Sequence, residues 1–203
     1  MSGWELIGIL RLHEVQVTVL AGVLAAYGIS EFAGRWSTWS QGAPIRPRSS
    51  LGERTYFVIV AAALSCLGID LAIFLLGVPQ LLPPGAMEAG VAVAATGFGL
   101  RYWSMRSLGR FYTNPVTIHK DHELVRSGPY RWIRHPVYTG GLLVLVAFPL
   151  VLGSLLGLAL TLLICLTVYL ERIGIEEAAL TARFGDAYTE YARTTYRLLP
   201  GLF

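Results

Sequence analysis

This sequence has little charge. Only 14% of its 203 residues are Asp, Glu, Lys or Arg, against about 25% in an ordinary soluble domain. Hydrophobic residues make up 54%. A water-soluble fold of this one-domain length would lack the polar surface to cover itself, so the apolar excess is expected to face lipid. Cysteine is scarce as well. Cys66 and Cys165 both lie in apolar runs, where a free cysteine behaves as a small hydrophobe. The absence of Cys-x-x-Cys and of His-x-x-x-His spacing argues against a metal site. No basic run of the kind that grips nucleic acid exists, and the net charge is only +3. There is no internal repeat and no low-complexity segment. A basic n-region and a clear small-residue cleavage site are also missing, which argues against a cleaved signal peptide.

What the chain has instead is long apolar stretches. Val15–Phe32, Phe57–Leu76 (interrupted by Asp70) and Ala86–Leu100 (extended by Tyr102 and Trp103) each read as one helix. Gly140–Leu170 carries no charge over 31 residues, too many for one span of about 20 residues and few for two. Pro149, Gly153 and Ser154 lie near its middle, where a turn belongs. A tight helical hairpin follows, and the fold class is an all-α integral membrane protein with about five transmembrane helices.

The basic residues test that count. Arg35, Arg46, Arg48 and Arg54 lie in the loop 33–55, a further seven between Arg101 and Thr139, and Arg172, Arg183, Arg193 and Arg197 after the hairpin. With five spans, all of the 16 basic residues except Arg11 fall on one side, and four or six spans would break the sorting. The positive-inside rule then sets the N-terminus outside and the C-terminus in the cytoplasm. Trp36, Trp39, Trp103 and Trp132 lie near the expected boundaries, as aromatic belts do.

Two segments on the basic side could carry chemistry. His122–Gly140 reads HELVRSGPYRWIRHPVYTG, and Glu171–Pro200 reads ERIGIEEAALTARFGDAYTEYARTTYRLLP. Pro136 disfavours helix at His135 and suits the first turn of the next helix, whose N-terminus offers free N–H groups to an anion. Gly128-Pro129 reads as a turn. Glu176 and Glu177 are adjacent and cannot face the same way on a helix; one points into a site, while the other meets water or a structural Arg. Arg172 stands four residues before Glu176, on the same face. As residues alone, the pair reads either as an ion pair or as part of a binding site.

In order, the blocks H-x-L-V, G-P-Y-R, R-H-P-x-Y, an apolar hairpin, E-E, F-G-x-x-Y and a closing Pro resemble the isoprenylcysteine carboxyl methyltransferase family and its relatives, the phospholipid N-methyltransferases. The resemblance covers roughly residues 97–200. It implies S-adenosyl-L-methionine as cofactor, in a pocket at the cytoplasmic edge lined by His122, Glu123, Leu124, Val125, Tyr130, His135, Pro136, Val137, Tyr138 and Glu176. Arg172 would grip the acceptor carboxylate, making Arg172 and Glu176 the catalytic pair. The implied acceptor is lipid-like or prenylated and reaches the site through membrane lipid. Residues 1–96 form the acceptor-side scaffold and 97–203 the methyltransferase core.

Gly97-Phe98-Gly99 resembles a Gly-x-Gly element of the phospholipid enzymes, but small residues in a membrane helix also serve close packing. Asp70, an intramembrane carboxylate, is a functional candidate by default; its distance from the cytoplasmic edge favours a hydrogen-bonded structural role. His13 and His119 belong to no motif and read as surface or interfacial. Three competing readings stay open: an N-methyltransferase, a nicotinamide-dependent membrane reductase and a non-catalytic membrane scaffold. The Val-Tyr-Thr-Gly-Gly sequence after R-H-P favours methyl transfer over the reductase.

Overall fold

The computed structural model describes residues 14–29, 50–112 and 123–201. Arg11, His13, His119, Lys120, His122 and most of the basic loop, with Arg35, Trp36, Trp39, Arg46 and Arg48, lie outside the described residues. The described part is helical: α1 Glu14–Ile29, α2 Ser50–Leu75, α3 Ala86–Leu108, α4 Pro136–Val151, α5 Leu155–Phe184 and α6 Asp186–Thr194.

The charge-free run folds as the expected hairpin. Gly153 makes the turn at φ +70°, a left-handed conformation that glycine adopts without steric cost. Ser154 caps α5, its hydroxyl accepting from the Gly157 N–H at 2.9 Å. Pro149 falls inside α4 rather than in the turn. Two further boundaries differ from the sequence expectation. Helix α2 begins at Ser50 rather than Phe57, and α3 runs on to Leu108, so Arg101 and Arg106 stand on a helix rather than in a loop. A helix can continue into water past its apolar part, which hydropathy alone does not reveal.

Two helices among those described, Phe57–Leu75 and Leu155–Phe184, are long and apolar enough to cross a membrane by length and composition. Helices α1 and α4 are apolar but shorter. Leu64, Leu71 and Leu75 on α2 and Leu155, Leu156 and Leu163 on α5 point outward, so these surfaces are apolar where a soluble protein is polar.

Helices α3 and α4 pack backbone against backbone. A Cβ at Gly97 would stand 2.8 Å from the Gly140 carbonyl oxygen, and one at Gly140 would stand 2.7 Å from the Gly97 carbonyl oxygen. Backbones this near require glycine on both sides, so Gly97 serves packing. Cys66 and Cys165 are buried between α2 and α5 with sulfurs 3.7 Å apart, among Ala63, Leu142, Leu145 and Tyr169. Asp70 is 2% exposed, packs against Gly157 and accepts from the Thr161 hydroxyl at 3.4 Å. Its side chain therefore joins α2 to α5.

Past the apolar part of α5, Gly185 turns the chain into α6. The tail then returns alongside the segment ahead of α4. The Arg134 N–H donates to the Tyr196 carbonyl at 2.8 Å, the Tyr196 N–H to Trp132 at 2.9 Å, and the His135 N–H to Arg197 at 3.2 Å. The Thr139 hydroxyl donates to the Leu198 carbonyl at 2.8 Å. This lacing fixes where the first turn of α4 sits relative to the end of α5.

Candidate functional site

The two motif segments meet. His135 is the N-cap of α4, and Pro136, with no N–H of its own, occupies the first helical position. Fixed proline φ and a β-biased residue before it explain why the helix starts here. The His135 ring is buried, 4% exposed. Its Nδ1 lies 3.9 Å from Glu176 Oε1 and its Nε2 3.3 Å from Glu177 Oε1. One turn along α4, the Tyr138 hydroxyl donates to Glu176 Oε2 at 2.8 Å and accepts from Arg172 Nε at 3.2 Å. Tyr138 thus joins Arg172 to Glu176, and its ring also stacks obliquely on His135 and Tyr169, with centroids 5.7 and 5.4 Å away. Arg172 is 3% exposed.

The two glutamates have different surroundings. The Glu176 side chain is 29% exposed, that of Glu177 14%. Glu177 accepts from Arg134 Nε at 3.1 Å, from Arg197 Nε at 3.2 Å and from the Arg197 terminal nitrogen at 2.6 Å. Burial pushes its carboxyl up, but hydrogen bonds from His135 and Arg197 and the Arg197 charge outweigh it and bring the pKa to about 2. Arg134 is anchored in turn on the Ala192 carbonyl at 2.6 Å and on that of Thr195.

Of the residues singled out in the sequence, His135, Tyr138, Arg172 and Glu176 form one connected cluster. Pro136 is buried beneath it, and the Val137 carbonyl faces Arg101 at 3.5 Å. Tyr130 is buried beside the cluster; burial first, and then the Glu176 charge, push its phenol well above the ordinary value. The Tyr191 hydroxyl donates to its carbonyl at 2.6 Å. Glu123 is exposed, and Leu124 and Val125 are half-buried. Among the described residues these three share no hydrogen bond or ion pair with the cluster; the next residue, Arg126, ties their segment to α6 through the Ala187 carbonyl at 2.6 Å. His122 lies outside the described residues. The structural Arg expected for the second glutamate is a pair, Arg134 and Arg197; the sequence did not single out either one, although Arg134 stands in the R-H-P block itself. Arg101, a loop cation by the hydropathy pattern, is instead buried at 6% exposure against Gly140 and Gly141 of α4, with Tyr27 of α1 5.8 Å from its guanidinium.

Residues 90–182 match the isoprenylcysteine carboxyl methyltransferase (ICMT) family. The resemblance read from the motifs therefore holds over the stretch that contains the whole His135–Glu177 cluster. A probable protein-S-isoprenylcysteine O-methyltransferase of Oryza sativa subsp. indica is 32% identical over 113 residues, 55% of this chain and 59% of that protein. The protein-S-isoprenylcysteine O-methyltransferase of Schizosaccharomyces pombe is 33% identical over 96 residues, 46% of this chain and 41% of that one. The chain thus spans about three fifths or less of these curated relatives. The solved structure of the eukaryotic intramembrane Ras methyltransferase ICMT superposes with a TM-score of 0.68 at 23% identity, covering 92% of this chain and 67% of that one. The fold is shared with that membrane enzyme well beyond the matched sequence segment.

Proposed function

We propose that this protein is a membrane methyltransferase that uses S-adenosyl-L-methionine to methylate the carboxylate of a lipid-like, isoprenylcysteine-type acceptor. In this reading the chain crosses the bilayer about five times, with the N-terminus outside and the His135–Glu176 cluster in a pocket at the cytoplasmic edge. The family match over residues 90–182 and the fold shared with an intramembrane methyltransferase support it. The observation that carries it is the convergence of His135, Tyr138, Arg172 and Glu176 beyond an apolar hairpin.

The donor set suits the cofactor. A partly exposed carboxylate, Glu176, meets the need of an ammonium or sulfonium for a counter-charge. The first turn of α4, where the earliest helical bond is the Thr139 N–H to the His135 carbonyl, offers N–H groups to a carboxylate. The walls assigned to the pocket are Tyr130, His135, Pro136, Val137 and Tyr138, with His122, Glu123, Leu124 and Val125 from the preceding block. When bound, S-adenosyl-L-methionine supplies a methyl carbon activated by its sulfonium, with a neutral thioether as leaving group.

The protein acts by position. Arg172, held through Nε by Tyr138, pairs with the acceptor carboxylate, a partner that a planar guanidinium can bind through two parallel hydrogen bonds. That carboxylate is already ionised near neutral pH, so no residue has to remove a proton. Tyr138 bridges the acceptor-side Arg172 and the cofactor-side Glu176 and so sets their separation, an effect of orientation rather than of acid–base chemistry. The buried rings of Tyr130 and Tyr169 and the half-buried ring of Tyr138 keep water from the reacting atoms.

Titration of the purified protein in lipid nanodiscs with S-adenosylhomocysteine and with NADPH tests the reading. S-adenosylhomocysteine is expected to bind, and binding of NADPH alone would reject methyl transfer. Glu176→Gln is expected to weaken S-adenosylhomocysteine binding with the fold kept, and Arg172→Ala to act mainly on the KM for a prenylated acid. Unchanged turnover in both variants would remove the site assignment.

A further inference from the structure

Glu177 has no role in the transfer as described, yet it is the most heavily bound carboxylate in the site. Two guanidiniums and one imidazole nitrogen converge on it. An ionised carboxylate only accepts hydrogen bonds, so the ring nitrogen that faces it at 3.3 Å has to carry a proton. In a neutral imidazole the other nitrogen then bears the lone pair. That other nitrogen, Nδ1, faces Glu176 Oε1 at 3.9 Å, beyond hydrogen-bond length. Two acceptors pointed at each other across this gap are unfavourable by themselves, and a single donor seated between them would satisfy both.

We infer that Glu177 is a positioning residue: anchored by Arg134 and Arg197, it locks His135 as the Nε2–H tautomer, so that Nδ1 and Glu176 Oε1 together form an acceptor pair for an N–H or O–H donor. The ligand class is an ammonium or hydroxyl group, and its assignment to the methyl donor rests on the function proposed above; the tautomer lock does not. The tail is part of the device. Arg197 supplies a guanidinium to Glu177 through its side chain and receives the His135 N–H through its carbonyl, so one residue holds both the imidazole's partner and its backbone. Glu176, Glu177, Arg134, Arg197 and Tyr138 are the charged and titratable groups packed around the ring.

The test reads the ring directly. Histidine labelled with nitrogen-15 in the full-length protein in nanodiscs reports the tautomer near neutral pH, and loss of one signal set in His135→Gln assigns it. The Nε2–H tautomer is expected in the wild type; an imidazolium or the Nδ1–H tautomer would overturn the inference, and this readout does not depend on any variant of Glu177 folding. Glu177→Gln is expected to give mixed tautomers and to weaken S-adenosylhomocysteine binding by about tenfold, a coupling of the size seen between residues in one network. In a His135→Gln background the same change is expected to cost less than about twofold. Equal losses in both backgrounds would make Glu177 merely structural and refute its action through His135. The Nε2–H tautomer in a protein that binds no S-adenosylhomocysteine would support the lock and reject the methyl donor as its ligand.

Discussion

Tyr138→Phe isolates one oxygen atom. The phenol makes two hydrogen bonds, accepting from Arg172 Nε at 3.2 Å and donating to Glu176 Oε2 at 2.8 Å, and both partners are charged groups. A hydrogen bond to a charged group contributes about 1.5–3 kcal/mol. The two are not additive, because they share one atom and their partners can shift. A loss of about 2 kcal/mol is the reasonable expectation, which lowers kcat/KM about 30-fold. The ring stays, so its contacts with His135 and Tyr169 persist, but the two lost hydrogen bonds also hold the fold, and the melting temperature should fall by about 4–8 °C. Transfer of a radiolabelled methyl group to a farnesylated cysteine derivative in nanodiscs, over a range of both substrates, is the assay. Since the oxygen ties the acceptor-side Arg172 to the cofactor-side Glu176, the loss should fall on kcat as well as on both KM values. A kcat/KM within twofold of wild type would show that the Arg172–Tyr138–Glu176 chain does not organise the reaction.

Three other perturbations follow from the same structure. Glu177 is held below its ordinary value of 4.5 at about 2, so its contribution to stability is complete above the ordinary value and is lost as pH falls through the folded one. Melting temperatures of the wild type should therefore drop more steeply between about pH 5 and about pH 2 than those of Glu177→Gln, and parallel curves would contradict this. Gly140→Ala puts a methyl group 2.7 Å from the Gly97 carbonyl oxygen and should destabilise by about 1–3 kcal/mol through overpacking. Gly99→Ala, with nothing within 4 Å of the new carbon, should be neutral or stabilising by up to about 1 kcal/mol, both read as shifts in thermal melting in detergent.

The parts of the fold legible in the sequence are those governed by local rules. Pro136 marks the start of α4, and Gly153-Ser154 marks the hairpin turn, because a fixed φ, a positive φ and a capping hydroxyl act over a few residues. The pairing of His135 with Glu176 was reachable because the hairpin between them returns the chain to the side it left, so both ends of a charge-free run must emerge together. The position of Arg101 was not legible. Its burial depends on Gly97 and Gly140 drawing two helices together, and a lone arginine after an apolar stretch looks the same whether it enters water or folds back along a neighbour. The tail was equally opaque, since the Tyr196–Leu198 bonds to Trp132–Thr139 are mostly made by backbone groups, which carry no residue signature.

The different surroundings expected of two adjacent glutamates become a division of labour once charge is followed. Arg134 and Arg197 both close on Glu177, so that carboxylate, its guanidiniums and the tail form a unit whose charges are matched inside the protein. Glu176 has only the Tyr138 hydroxyl and the distant Nδ1 of His135 among its described contacts, and it is the more exposed of the two. A carboxylate already matched by two arginines attracts a cationic ligand weakly, whereas one held by a neutral hydroxyl keeps its field for whatever enters. Position in the helix alone would not separate them; the arginines do. Substituting either glutamate by glutamine should therefore damage the protein in different ways: Glu176 in ligand affinity directly with the fold intact, and Glu177 in the state of the His135 ring, in ligand affinity through that ring, and in the stability its charge supplies above about pH 5.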